Sequence, residues 1–506
     1  MTYRNPVVPG FYPDPSAIRV GDTYYLVNSS FNYFPGVPLF ESHDLVNWTQ
    51  IGHVLTRPSQ LPLKGAGTGG GIYAPTLRYN DGRFYMVTTN VSFGGNFYVY
   101  TDDIHGEWSD PIAVEQGGID PSLYFEDGHA YFMSNGDDDE GNHGITQCEI
   151  DIATGKKLTP SKVIWTGAGG RYLEGPHLYK VDGSYYLLAS EGGTEYGHMM
   201  VYARGDNPFG PFTNYAGNPV LTNRNLGGYQ IQGTGHADLV DDGHGHWFLI
   251  HLAFRQLDRW IQHHTLGRET YLTPVQFGAD GWFTAGDHGT TRAVMSAPGL
   301  ENVVQKPRLL PLSFHNTAIG REWVTLREPD SARYCFDQDV LALRPNQYGL
   351  EEREVSPTAL FMRQRAFFST VRVTVDVTAN AAGLAAYMTE DLHYDAIVER
   401  VEDQVKVARR LRVGPATTTD HVHVLPAGPV TLILETTNYQ YHFYAEADGE
   451  RFDLGEADAH YLSSENAGNF TGVMLGLFTE QTDEPDADWI KFSDFAIEYP
   501  KEEDVE

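Results

Sequence analysis

Cysteine is nearly missing from these 506 residues: there are two, Cys148 and Cys335. They stand far apart without metal-ligand spacing, which argues against a disulfide framework and suits a reducing compartment. Positive charge is also scarce. Thirty-five Lys and Arg face 67 Asp and Glu, for a net charge of −32. Such a surface repels polyanions, so neither nucleic acid nor an anionic membrane is an expected partner, and the charge serves solubility. No apolar run reaches membrane-spanning length, and Met1-Thr2-Tyr3-Arg4 lacks a basic-then-apolar leader pattern. The expectation is a soluble, cytoplasmic protein. No long amphipathic helical pattern occurs either.

What is present is repetition. Five times in the first half a tight-turn dipeptide precedes bulky apolar residues: Gly21-Asp22, Asp81-Gly82, Asp127-Gly128, Asp182-Gly183 and Asp242-Gly243. Asp-Gly between apolar stretches signals a β-hairpin, because glycine accepts the positive φ of tight turns. The spacing is about that of a four-stranded propeller blade. Just upstream of the turns lie Asp14-Pro15-Ser16, Tyr73-Ala74-Pro75-Thr76, Asp120-Pro121-Ser122, Glu174-Gly175-Pro176-His177 and His236-Ala237-Asp238. If each leading strand is the innermost of its blade, these polar elements converge at one end of a channel. The expected fold is therefore all-β: a five-bladed β-propeller over 1–305, then a β-sandwich over 306–506. Strict alternation in Val371-Arg372-Val373-Thr374-Val375-Asp376-Val377 is what half-buried sandwich strands require.

Asp14 sits between Pro13 and Pro15 beside aromatic residues, and the following proline predicts an extended conformation. A rigid carboxylate there suits a general base facing a sugar; the plainer role is to start a turn. Asp120 repeats the Asp-Pro-Ser phrase and Glu174 falls at the same phase. Three crowded carboxylates raise one another's proton affinity, so the least solvated can stay protonated as an acid. His236 has three readings: cation ligand, hydrogen-bond partner of the acid, or core filler. Arg268, in Leu266-Gly267-Arg268-Glu269-Thr270, is suited to a sugar hydroxyl, to Asp14, or to an ion pair with Glu269. The glycine run 65–71 lacks the Lys-Ser/Thr of a phosphate cradle and reads as a loop beside the pocket. Asp137-Asp138-Asp139-Glu140 lacks calcium-loop spacing and reads as a solvated turn. The acidic end, 501–506, is expected to fray.

Together Phe11-Tyr12-Pro13-Asp14-Pro15, Ile72-Tyr73-Ala74-Pro75, Ile119-Asp120-Pro121, Glu174-Gly175-Pro176-His177, Gly235-His236-Ala237 and Gly267-Arg268-Glu269 resemble glycoside hydrolase family 43 over about the first 290 residues. The rest resembles the β-sandwich of that family's xylosidases and arabinofuranosidases. The resemblance implies an exo-acting, inverting hydrolase with Asp14 as general base and Glu174 as general acid. Asp120 would orient Glu174 and raise its proton affinity. It further implies substrate contacts from Phe31, Tyr73, Thr194 and Arg268, with Phe470 closing the pocket from the sandwich. His236 would reach the channel centre, where such enzymes often hold a calcium ion or a water; no cofactor is implied for the chemistry. Leu173-Glu174-Gly175-Pro176 and Thr234-Gly235-His236-Ala237-Asp238 look closer to the α-L-arabinofuranosidase branch than to the xylosidase branch. The implied partners are arabinose- or xylose-containing oligosaccharides. A β-xylosidase, a non-catalytic sugar-binding propeller and an endo-acting arabinanase are the alternatives.

Overall fold

The computed structural model describes residues 2–337, 339–481 and 488–500. The acidic end, 501–506, lies outside the described residues. Helix among those described is limited to one turn, Ser464–Ala467, and two short 3-10 segments. Among the described residues no helix is long and apolar enough to cross a membrane.

The anticipated hairpins form, and each opens a four-stranded antiparallel sheet. The leading strands are Ser16–Val20, Thr76–Asn80, Ile119–Glu126, Glu174–Val181 and Ile231–Asp241. They pack in cyclic order, first on second and onward, with the fifth returning to the first. Asp81-Gly82, Asp127-Gly128 and Asp182-Gly183 take positive φ at both residues, as type I′ turns demand. The fifth turn differs. Asp242 opens a longer loop, and its Oδ1 accepts from the backbone N–H groups of His244 and His246 at 2.8 and 3.0 Å.

Side chains alternate across each strand, so one strand serves two interfaces. Met86 packs toward the first sheet while Tyr85 and Val87 pack toward the third. Phe132 and Met133 divide in the same way, as do Leu187 and Leu188. The apolar core of this half is therefore a series of slabs between successive sheets. That leaves the inner strand ends free for polar groups.

After Val294–Ser296, which pairs with Thr2–Arg4, the chain builds an eight-stranded and a six-stranded sheet. One core cluster shared by both sheets makes them a β-sandwich. The alternation predicted around residue 373 is seen: Val371, Val373 and Val375 are fully buried, and the residues between them are half-buried. A separate aromatic cluster joins the two halves, Phe11, Phe31 and Tyr33 packing on Phe361, Tyr387 and Phe478.

Candidate active site

The leading strands are irregular where they reach the pocket. Register shifts fall between Ile119 and Ser122, between Glu174 and His177, and on both sides of Gly235. A bulge re-aims the side chain it carries. Here the bulges bring Asp120, Glu174 and His236 into one cavity with Asp14. The expected extended conformation at Asp14 is not found: its φ is +51°, and Asp120 and His236 match it at +52° and +47°. The left-handed region costs about 1–3 kcal/mol for a non-glycine residue, and such strain gathers at functional sites. Pro15 biases Asp14 toward extended backbone, but packing around the pocket outweighs that bias and decides how Asp14 turns.

That cavity, about 50 Å³, is lined by every site residue expected from the sequence: Asp14, Phe31, Tyr73, Asp120, Glu174, Thr194, His236, Arg268 and Phe470. It adjoins a larger one of about 480 Å³ that shares Glu174, Thr194, Arg268 and Phe470.

Arg268 reaches Asp14 because the N-terminal segment runs beside its strand. Val7 N–H and Thr270 N–H bond across at 2.9 and 3.1 Å, and Tyr12 N–H donates to the Arg268 carbonyl at 3.1 Å. Arg268 Nη1 then donates to Asp14 Oδ1 at 2.8 Å and to Thr194 Oγ1 at 2.9 Å. The alternative pairing with Glu269 is not adopted. Glu269 is fully buried and bound by Arg255 at 2.8 Å.

The Ser29 hydroxyl donates to Asp14 Oδ2 at 2.5 Å, and His236 Nδ1 lies 3.8 Å from Oδ1. Burial pushes the Asp14 carboxyl up; the Arg268 guanidinium, His236 and the Ser29 hydrogen bond together outweigh it and hold it below the usual range. Asp120 goes the other way. Burial first, then the charges of Glu174 and Asp14, raise it well above an ordinary carboxyl, although Gly175 N–H donates to it at 3.2 Å. So the group whose proton affinity is raised is Asp120, the residue expected to raise that of Glu174. Burial likewise keeps His236 below its normal value, against the pull of Asp14 and Glu174.

Glu174 is the most open of the three acids, its side chain 19% exposed, with His198 Nε2 3.5 Å from Oε1. His198, fully buried, and Ser29 were not singled out in the sequence. Asn28-Ser29-Ser30, a polar run ending an apolar strand, was a signal for Ser29, but nothing local marks His198. Glu191, also missed, accepts the N–H groups of Ala168, Gly169 and Gly170 at 2.7–3.2 Å and so braces the loop leading into Glu174.

The aromatic wall comes from both halves. Phe31 stacks on Phe11 with ring centroids 5.4 Å apart. Phe470 lies 5.7 Å from Phe31 and 5.5 Å from Tyr73, and the Arg268 guanidinium is 5.0 Å over its ring. The loop carrying Phe470 comes after the helical turn Ser464–Ala467 and is latched at both ends. Glu465 binds His264 Nδ1 at 2.7 Å, and Asn469 Nδ2 donates to the Thr68 carbonyl, within the glycine-rich loop, at 2.5 Å.

A calcium ion near His236 would need six to eight oxygen ligands. Among the described residues no group of three His, Cys, Asp or Glu is arranged to hold a metal. The described carboxylates and histidines alone do not supply such a ligand set.

A carboxyl held below the usual range, a second raised well above it and a third part-open to a vestibule are the tools of a glycoside hydrolase. The profile of glycosyl hydrolases family 43 matches residues 3–283, and that of the β-xylosidase C-terminal concanavalin A-like domain matches residues 312–498. The chain belongs to glycosyl hydrolases family 43. It is 36% identical to a non-reducing-end α-L-arabinofuranosidase of Bacteroides ovatus, across 97% of this chain and 94% of that one. It is 34% identical to a xylosidase/arabinosidase of Butyrivibrio fibrisolvens, across 98% and 99%. Among solved structures it superposes on the xylan β-1,4-xylosidase of Bacillus halodurans with a TM-score of 0.89 and 31% identity, covering 99% of this chain and all of that one.

Proposed function

We propose that this protein is an exo-acting, inverting α-L-arabinofuranosidase. In this reading the five sheets are the blades of a five-bladed propeller over 1–305, and 306–506 form its accessory sandwich. The observation that carries it is the opposed proton affinity of two carboxyls in one pocket, Asp14 below the ordinary range and Asp120 well above it. Asp14, ionised, takes a proton from a water as that water's oxygen attacks C1. Glu174, with His198 3.5 Å away, gives its proton to the departing glycosidic oxygen. One C–O bond forms as the other breaks, and the anomeric centre inverts. Inversion needs about 6.5–9.5 Å between base and acid so that the water fits. Arg268 and Thr194 hold sugar hydroxyls, with Phe31, Tyr73 and Phe470 as walls.

Exo action is a matter of shape: a small inner cup takes one terminal sugar, and the adjoining 480 Å³ cavity takes the remainder of an arabinose- or xylose-containing oligosaccharide. Arabinose over xylose rests on the Leu-Glu-Gly-Pro and Thr-Gly-His-Ala-Asp phrases around Glu174 and His236, and on the name of the Bacteroides ovatus relative. The xylosidase names among the other relatives support the second reading, a β-xylosidase.

Parallel initial rates on aryl α-L-arabinofuranoside and aryl β-D-xyloside separate the two. A kcat/KM ratio above tenfold for the arabinoside, about 1.4 kcal/mol of transition-state discrimination, is expected. The reverse ratio makes the enzyme a β-xylosidase, and no turnover of either makes it a binding module or an endo-acting enzyme.

A further inference from the structure

A second cavity, about 410 Å³, opens where the N-terminal segment, the first sheet, the connecting chain and the sandwich meet. None of the pocket-lining acids reaches it. Its walls carry five cationic side chains, Lys306, Arg308, Arg321, Arg363 and Arg365, against one acid, Glu322. Glu322 is already engaged by Arg321 at 2.7 Å. In a chain where acids outnumber bases almost two to one, such a concentration of positive charge is out of pattern.

Arg363 is the telling residue. It is 2% exposed, yet among the described residues no carboxylate lies within ion-pair distance of it or of Arg365. Its Nε donates to the Phe11 carbonyl at 2.7 Å, and its guanidinium lies 4.4 Å over the Tyr12 ring. Its Nη1 is buried with no hydrogen-bond partner, as is Nε of Arg365, whose Nη2 donates to the Arg308 carbonyl at 2.9 Å. Burying a guanidinium without a counter-charge is expensive, and unpaired donors beside a cavity mark a place for an acceptor. Trp48 lines the same cavity. Its N–H is spent on the Leu45 carbonyl at 2.7 Å, so what it offers is ring surface. The volume is within the range of small-ligand sites, about 300–1,000 Å³.

We propose that this cavity binds a small sugar acid, its carboxylate taken by Arg363 and Arg365 and its ring set against Trp48. Arginine is the side chain suited to such a group, because its planar fork matches a carboxylate in two hydrogen bonds. The site lies outside the proposed catalytic pocket, with which it shares no residue. Through the Phe11 carbonyl it touches the segment that ends in Asp14.

The test is calorimetric titration of the whole protein with D-glucuronate, D-glucose and inorganic phosphate. Saturable binding of glucuronate, absent for glucose and weakened at least tenfold in Arg365→Gln, is the expected result. Arg365→Gln removes one backbone contact, and its aryl-glycoside turnover should equal that of the parent protein. Arg363→Gln gives a second reading wherever its circular dichroism matches the parent. Glucuronate binding no tighter than glucose overturns the proposal. So does equal binding by the parent and Arg365→Gln, which would place the ligand elsewhere. Phosphate binding as tightly as glucuronate overturns the sugar part and leaves a plain oxyanion site.

Discussion

Replacing Arg268 with glutamine isolates the charge that keeps Asp14 ready to accept a proton. The guanidinium and the carboxylate meet at 2.8 Å, and both side chains are less than one-tenth exposed. With charge centres about 4 Å apart and an effective dielectric of about 20, their attraction is about 4 kcal/mol. Glutamine can still donate one hydrogen bond, and the Ser29 hydroxyl and His236 remain, so only part of that attraction is lost. The sign is fixed by the charge. Arg268 lowers the Asp14 carboxyl, its loss raises it, and the base works only when ionised. The acidic limb of kcat/KM against pH must therefore move to higher pH in Arg268→Gln. The assay is the pH–rate profile on an aryl α-L-arabinofuranoside. Thr194→Val, which removes the other partner of the same Nη1, serves as a control whose acidic limb stays in place. Because a buried carboxylate left without its partner costs about 3–5 kcal/mol, folding is checked by thermal unfolding over the same pH range. A folded Arg268→Gln protein with an unmoved acidic limb would mean that Arg268 does not set the proton affinity of Asp14.

Asp120→Asn should move the opposite limb. Two crowded carboxyls share one proton and give it up late, whereas a carboxyl beside a neutral amide gives it up earlier. The alkaline limb should retreat to lower pH, and a limb unchanged from the parent would show that the Asp120 carboxyl does not contribute to it. Phe470→Ala removes two aromatic contacts worth about 0.5–1.5 kcal/mol each. It should raise KM about tenfold on short substrates with a smaller change in kcat, and an unchanged KM would mean the ring does not close the pocket. Asp238 is fully buried and binds Arg78 at 2.8 Å, with Ser16 and Tyr179 as further partners. Asp238→Ala strands that guanidinium and should cost about 3–5 kcal/mol in urea unfolding; a loss under 1 kcal/mol would contradict the strut assigned to it.

The hairpins were legible because their signal is local: an Asp-Gly pair writes its own turn, and apolar runs on either side write the strands. The sandwich strand around Val373 was legible for the same reason. The recurring phase of Asp14, Tyr73, Asp120, Glu174 and His236, one before each hairpin, marked five of the residues that line the pocket, and the family resemblance marked Phe31, Thr194 and Phe470. What those residues do to one another was not legible. The left-handed backbone at Asp14 runs against the local preference set by Pro15, and its carboxylate is held by Arg268 and Ser29 from other parts of the chain. Arg268 chose Asp14 over its chain neighbour Glu269 because Arg255, 14 residues away, claims Glu269. The link of Asp238 to Arg78 and Tyr179 spans three leading strands, and no single stretch of chain records it. His198 comes within 3.5 Å of Glu174 from two strands across the same sheet, with nothing beside it in sequence to mark it.

In the proposed mechanism a water activated by Asp14 displaces the sugar directly while Glu174 protonates the leaving oxygen. Proton NMR of the released sugar, recorded within the first minutes of turnover, distinguishes this from a two-step route. The first product anomer should be opposite to that of the substrate, the β-anomer from an α-L-arabinofuranoside, and Asp14→Ala should release none. First appearance of the substrate's own anomer would mean a covalent intermediate on one of these carboxylates, and would contradict the assignment of Asp14 as a base.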